Sequence, residues 1–341
     1  MEGNVLVFFD GTWDGDCPEE TGRGETNVPR LHRLFVEDGD QRACYLPGVG
    51  TGGVLDRMVG GLTGAGLSLR IQRGYTWLAA NWRPGDRIFL FGFSRGAYSA
   101  RCLAGMIRKC GLVLPEHIHR TQEAYDLYLE RTAAVDGPAA EQFRRLFSRT
   151  VDIHFLGVWE TVGTLGIPHV GPLDDDLLVC QFHDNALSRT VRHSFHALAL
   201  DEQHEDLRPS LWDREHPEEG RDMEQRWFVG SHRDVGGGGD CRALSDISLA
   251  WMHRKAQACG ARSREPDFNP VPFPADPTLP ITERLPALSL VRGRPRKPLQ
   301  TTFGHETIDE NVLFRMEHND AYREDHRELY DLIQRSREEA P

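Results

Sequence analysis

The stretch RIFLFGFSRGAYSARCLAGMI, Arg87–Ile107, decides the fold. The run Arg87–Phe91 is apolar and closes on Gly92, after which Phe93, Ser94, Arg95 and Gly96 complete a GxSxG pattern. Beyond it Ala100, Leu103, Ala104 and Ile107 fall on one helical face, and the turn residues RPGD (Arg83–Asp86) precede the strand. Strand, sharp turn and helix therefore follow one another within 25 residues. A serine at the tip of such a turn is projected outward, and small residues on either side let the chain reverse without collision.

Elements of the same kind extend in both directions. Val5–Phe9 reads as a buried strand running into the loop Asp10, Gly11, Thr12. Thr26–Phe35 reads as a capped helix, Ala43–Leu46 as a short strand, and the pattern through Ile71, Tyr75, Leu78 and Ala79 as a helix that follows the glycine-rich stretch Gly48–Gly66. That glycine-rich stretch is not a phosphate loop, because GxxxxGK[ST] is absent. Ile153–Trp159 and Arg226–Gly230 read as further apolar strands, and the alternation of strand and helix implies a parallel sheet covered on both faces. The reading is one α/β domain over residues 1–341, an α/β-hydrolase fold with a mainly parallel central sheet and a helix-rich cap or insertion within 112–225. The span 265–298 holds nine of the 20 prolines and reads as an irregular connection, followed by a last element and a charged terminal helix.

Composition narrows the functional classes. A formal net charge of −12 disfavours nucleic acid as a partner, since phosphate binding needs a concentrated positive surface. The basic run VRGRPRK, Val291–Lys297, reads as a solvated loop. No apolar run approaches the roughly 20 residues of a membrane span, and the N-terminus lacks a secretory leader pattern, so a cytoplasmic location is expected. The seven cysteines form neither a CxxC pair nor a zinc-like cluster with histidine, and neither a metal nor a cofactor is expected. Oligomeric state is not legible.

The chemistry expected at Ser94 is nucleophilic attack, with an oxyanion stabilised by backbone N–H groups of Arg95 and of the Gly11–Thr12 loop. A phosphatase reading of FFDGT fails because Phe8 stands where the DxDGT pattern needs its attacking aspartate. A serine hydroxyl needs a base and the base needs a carboxylate. Asp234, in GSHRDVGGGG after a strand, is the expected acid, and Glu160, after IHFLGVW, is the alternative. The chain order Ser, acid, His then leaves His253, His305, His318 and His326; His305, at the start of the last element, is preferred, with His232 and His196 in reserve.

Taken together, FFDGTWD, TNVPRL, YLPGVGTG, PGDRIFLFGFSRGAYSAR, GVWETVGTLG, HALALDE and WFVGSHRDVGGG with LSDISLAWM resemble the α/β hydrolases related to the catalytic domain of type VI secretion phospholipase effectors. The resemblance covers most of the chain and implies a nucleophile at Ser94, an acid at Asp234 and a lipid or phospholipid ester as substrate, with transient contact at a membrane surface and export by a secretion system as an alternative to cytoplasmic residence. Two departures stand out. Glu160 replaces the family's usual aspartate, and IDENVLFR places Asp309 where the family carries a histidine, making Asp309 an alternative catalytic position. That second departure motivates the rival reading, a catalytically weak binding or interaction module.

Overall fold

A computed structural model describes residues 3–11, 24–48, 64–130, 132–162, 189–204, 207–213, 221–239, 242–282 and 296–338. In chain order the strands are β1 (Asn4–Phe9), β2 (Gln41–Leu46), β3 (Arg87–Phe93), β4 (Leu112–Val113), β5 (Ser148–Arg149), β6 (Ile153–Trp159), β7 (Val191–Ala199), β8 (Asp222–Phe228) and β9 (Glu306–Ile308). The α-helices are α1 (Asn27–Leu34), α2 (Gly64–Asn81), α3 (Arg95–Cys110), α4 (Thr121–Leu129), α5 (Pro138–Phe147), α6 (His232–Gly236), α7 (Arg242–Ala258), α8 (Glu310–His318), α9 (Asp320–Asp325) and α10 (Arg327–Glu338).

Seven strands form one sheet in the order β2-β1-β3-β6-β7-β8-β9, and every adjacent pair is parallel. The apolar character of β1 on both faces follows from this, since a parallel sheet is covered by helices front and back. Val5, Val7 and Phe9 join Ile88, Leu90 and Val158 under α2 and α3, while Leu6 and Phe8 join Phe89, Phe91 and Phe155 under α1 and α7. Phe8 and Phe91 stack with ring centroids 4.7 Å apart, so neighbouring strands lock through aromatic rings as well as backbone bonds. A third apolar cluster, Leu198, Leu200 and Trp227 against Val312, Met316 and Leu329, seats the C-terminal helices at the β9 end of the sheet.

Two features differ from the sequence reading. Val191–Ala199, inside the stretch expected to hold an insertion, is a central strand, and so 112–225 contributes β6 and β7 to the sheet besides α4, α5 and the small β4-β5 ribbon. The polar residues of VRHSFHALA hide the strand because their bonds are satisfied inside: the Ser194 hydroxyl donates to the Asp222 carbonyl, and His196 pairs with Gln225. Of the basic run only Arg296 and Lys297 are described, and the Arg296 side chain departs from a solvated loop, being 6% exposed, while Lys297 is exposed. The described part of the proline-rich span, 265–282 and 296–298, carries neither helix nor strand, as proline content demands.

Topology then places the chemistry. From β1 the chain moves to β2 on one side and returns to β3 on the other, leaving a crevice between the carboxyl ends of β1 and β3. Ligands of open parallel sheets bind at such a reversal. The residues that leave the sheet at this edge are Asp10 after β1, Ser94 after β3, Glu160 after β6 and the Val229–His232 turn after β8.

Candidate active site

Ser94 sits between β3 and α3 with φ 56° and ψ −122°, a backbone that L-residues with a side chain rarely adopt. The two glycines of the motif are required by close approach. A Cβ on Gly92 would collide with the Gly96 carbonyl, and one on Gly96 would collide with the Phe9 carbonyl of β1. The turn is fastened by Ser94 N–H donating to the Trp159 carbonyl at 3.0 Å and by Tyr98 N–H donating to the Ser94 carbonyl at 3.2 Å. The first of these bonds ties the elbow to the residue immediately before Glu160.

Glu160 is fully buried and also holds positive φ, 46°. Its carboxylate is saturated. Oε1 accepts from Ala199 N–H at 2.8 Å and from Arg296 Nη1 at 2.8 Å, while Oε2 accepts from Arg296 Nη2 at 3.0 Å and from His232 Nδ1 at 3.0 Å. Burial alone would push this carboxyl up; the Arg296 guanidinium and the His232 hydrogen bond outweigh it and hold the group at about 2. Glu160 is therefore ionised at neutral pH, and the shared proton belongs on His232 Nδ1.

His232 opens the short helix α6, its N–H donating to Glu202 Oε2 at 3.2 Å. Its ring packs on Phe93, the residue before Ser94, with centroids 4.7 Å apart. With Nδ1 directed at Glu160, the ring presents Nε2 on its opposite edge. His196, the other reserve histidine, is wholly buried: Nε2 accepts from Thr161 N–H at 3.1 Å and Nδ1 donates to Gln225 Oε1 at 3.3 Å. Burial, and next the nearby Arg101, push it down to about 3.

The remaining expected residues lie elsewhere. Asp234 is buried, but Oδ2 accepts from Ser231 N–H, Ser231 Oγ and Thr282 N–H, each at 2.9 Å, and Oδ1 accepts from the Thr282 hydroxyl. It caps α6 and pins the proline-rich connection, and no imidazole is among its hydrogen-bond partners in the described residues. His305 is exposed, with φ 47°, just before β9, four strands along the sheet from β3; its carbonyl accepts from Gln225 N–H. Asp309 is the N-cap of α8, accepting from Asn311 N–H at 3.1 Å, with Arg226 3.6 Å away, and burial pushes its carboxyl up. His326 bonds Asp201 at 2.7 Å and His253 bonds Ser263 at 2.7 Å, while His318 bonds the Phe314 carbonyl at 2.8 Å within its own helix.

At the other side of the crevice, Gly11 packs on Phe93, and its N–H donates to Asp10 Oδ1 at 2.7 Å. Asp10 is itself held by Thr26 Oγ1 at 2.5 Å and Tyr45 Oη at 2.6 Å, and Arg70 Nη2 donates to its carbonyl. Arg95, the first residue of α3, places its N–H in the first turn beside Ser94, where the helix dipole is positive. Thr12 and most of the Gly48–Gly66 stretch lie outside the described residues. No group of three metal-binding side chains occurs among the described residues.

Sequence reading missed Arg296 entirely and ranked Glu160 and His232 second. A signal existed for the latter two: each follows the carboxyl end of a strand, Glu160 directly after β6 and His232 four residues after β8, as Ser94 follows β3. Nothing in VRGRPRK distinguishes Arg296 from its neighbours.

A parallel seven-stranded sheet with helices on both faces and a serine elbow at the carboxyl edge is the architecture of the α/β hydrolases. Residues 4–255 match the family described as T6SS, phospholipase effector Tle1-like, catalytic domain, and the chain belongs to that family. An uncharacterised protein of Saccharomyces cerevisiae is 33% identical over 230 residues, covering 59% of this chain and 31% of that protein, so the chain spans about a third of that relative's length. The crystal structure of an uncharacterised protein from Pseudomonas aeruginosa superimposes with a TM-score of 0.50 at 18% identity, over 79% of this chain and 47% of that one. The Tle1 effector bound to the VgrG spike of the type 6 secretion system aligns at 18% identity over 70% of this chain and 52% of that one, with a TM-score of 0.36, too remote to bear on the fold.

Proposed function

We propose that this chain hydrolyses carboxylic esters of lipids through an acyl-enzyme on Ser94, with His232 as general base and Glu160 as the acid that orients it. The observation that carries the reading is the His232 Nδ1 to Glu160 Oε2 hydrogen bond, 3.0 Å, at the sheet edge where the Ser94 elbow also lies. These three residues keep the order nucleophile, acid, histidine that the fold uses. His305, Asp234 and Asp309 are not assigned roles in the reaction.

In this scheme His232 Nε2 takes the Ser94 Oγ proton as Oγ attacks the ester carbonyl carbon. The imidazolium that forms is stabilised by the ionised Glu160 across Nδ1–H. The oxyanion of the tetrahedral intermediate is met by the Arg95 N–H at the positive end of α3, with Thr12 the expected second donor. Gly11 is not proposed as a donor, because its N–H is taken by Asp10. Collapse expels the alcohol, which leaves with the proton from His232; a water molecule then gives a proton to His232 as its oxygen attacks the acyl carbon, and the second intermediate collapses to the free acid as His232 returns that proton to Ser94 Oγ. A lipid ester is favoured over other esters by membership of a phospholipase effector family. No helix among the described residues is long and apolar enough to cross a membrane.

The test is turnover of mixed phospholipid–detergent micelles against a short-chain ester, with free fatty acid as readout. Wild-type protein is expected to release fatty acid, and His232→Ala and Glu160→Gln to lose on the order of 10³ to 10⁴ in kcat. Full activity in either variant would remove the assignment, and hydrolysis confined to the short-chain ester would remove the lipid.

A further inference from the structure

Among the described residues Glu160 has three hydrogen-bond partners, and two of them, Ala199 and His232, belong to the family's matched span, 4–255. The other comes from beyond it. Arg296 follows the proline-rich connection and reaches back with its side chain 6% exposed. It places both Nη atoms on the carboxylate in a bidentate fork, while Nη1 also donates to the Ala199 carbonyl and Nη2 to the Leu207 carbonyl, each at 2.6 Å. The guanidinium is thus fixed by main-chain atoms of two separate segments and has no freedom to follow the carboxylate.

We infer that Arg296 is a positioning residue for the reaction, clamping the Glu160 carboxylate in the orientation that faces His232. The inference rests on the reading of Glu160 and His232 given above. Its physical content is twofold. A wholly buried carboxylate held only by a neutral imidazole and one backbone N–H would tend to take up a proton, and the guanidinium keeps it charged. The fork also fixes the carboxylate plane, which a point-charge ammonium cannot do.

Among the described residues, the charged and titratable groups bearing on His232 are few. They are Glu160 with Arg296 behind it, Glu202 on its backbone N–H, and Asp234 and Arg233 on α6 itself, with His196 and Arg101 on the far side of Glu160. Of these, Glu202 is engaged by the N–H groups of Gln203 and His204 as well, and Asp234 by Ser231 and Thr282.

The experiment is the pH profile of kcat/KM, with kcat and KM measured separately, for wild type, Arg296→Gln, Arg296→Lys and Glu160→Gln. Arg296→Gln is expected to lose about 10²-fold in kcat with KM little changed, from misplacement of the base. Its acidic limb should move up by about one pH unit, because Glu160, no longer held ionised by the guanidinium, takes up a proton at higher pH. Arg296→Lys should return the limb towards its wild-type position while kcat stays reduced, because charge is restored without the fork. Wild-type kcat and an unmoved limb in Arg296→Gln, alongside an inactive Glu160→Gln, would overturn the inference and leave the proposed reaction standing. An active Glu160→Gln would remove both. Should Arg296→Gln not fold, Arg296→Lys decides: reduced kcat with an unshifted limb supports the clamp, and wild-type kcat overturns it.

Discussion

Ser94 and Glu160 both hold positive φ, 56° and 46°, although neither is glycine, and they are tied together through the Ser94 N–H to Trp159 carbonyl bond. A backbone of this kind costs on the order of 1 to 3 kcal/mol per residue and persists only where surrounding contacts over-determine it. Its occurrence twice at one sheet edge marks where the sequence has given up stability for geometry. The GxSxG spacing made Ser94 legible, since the motif encodes the turn that imposes the strain. The proposed acid and base were less so, and the reason lies in α6. Successive helical residues turn by about 100°, so His232 and Asp234, two apart, point about 200° from each other and cannot serve the same site. Spacing alone does not say which faces inward; the capping bonds of Asp234 to Ser231 and Thr282 decide it. The corresponding prediction is that Asp234→Asn retains near wild-type kcat while losing about 1 kcal/mol of stability, the usual worth of a cap, read from urea midpoints. Inactivity in folded Asp234→Asn would return the acid to Asp234.

The elbow is an element-scale device, because β1 packs directly on it: Gly96 approaches the Phe9 carbonyl too closely to admit a Cβ. Gly96→Ala should therefore destabilise the protein by roughly 1 to 3 kcal/mol or shift β3 against β1, the cost of overpacking a close contact; a thermal midpoint equal to wild type would contradict it. At this scale the strands with unbroken apolar runs, β1, β3 and β6, were readable from sequence, as was the irregular proline-rich span. β7 was not, since its buried polar residues find partners on β8 that only the assembled sheet supplies: Ser194 with the Asp222 carbonyl, and His196 with Gln225. Arg296 was lost for the same reason. Its partners, Glu160, Ala199 and Leu207, are all more than 80 residues away in the chain.

Across the whole molecule, burial of His196 and the ion pairs of Glu160 make stability depend on pH in a stated direction. His196 is pushed down to about 3, so below its ordinary value of 6.5 the unfolded chain binds a proton that the folded protein refuses. Stability contributed by keeping it neutral is lost from pH 6.5 downward, in total on the order of 4 kcal/mol by pH 3. Glu160, held at about 2 against an ordinary 4.5, contributes stability above pH 4.5 that is lost as pH falls towards 2, on the order of 3 kcal/mol. The urea midpoint should accordingly begin to fall near pH 6.5 and steepen below 4.5; a midpoint constant from pH 7 to pH 4 would contradict the buried neutral histidine. Activation of Ser94 by His232 is tested most directly by labelling with a fluorophosphonate probe, followed by intact mass and peptide mapping. Wild type, Asp234→Asn and His305→Ala are predicted to gain one adduct, on the peptide containing Ser94, and Ser94→Ala and His232→Ala to gain none. Labelling that survives in His232→Ala at the wild-type rate, or that disappears in His305→Ala, would contradict it.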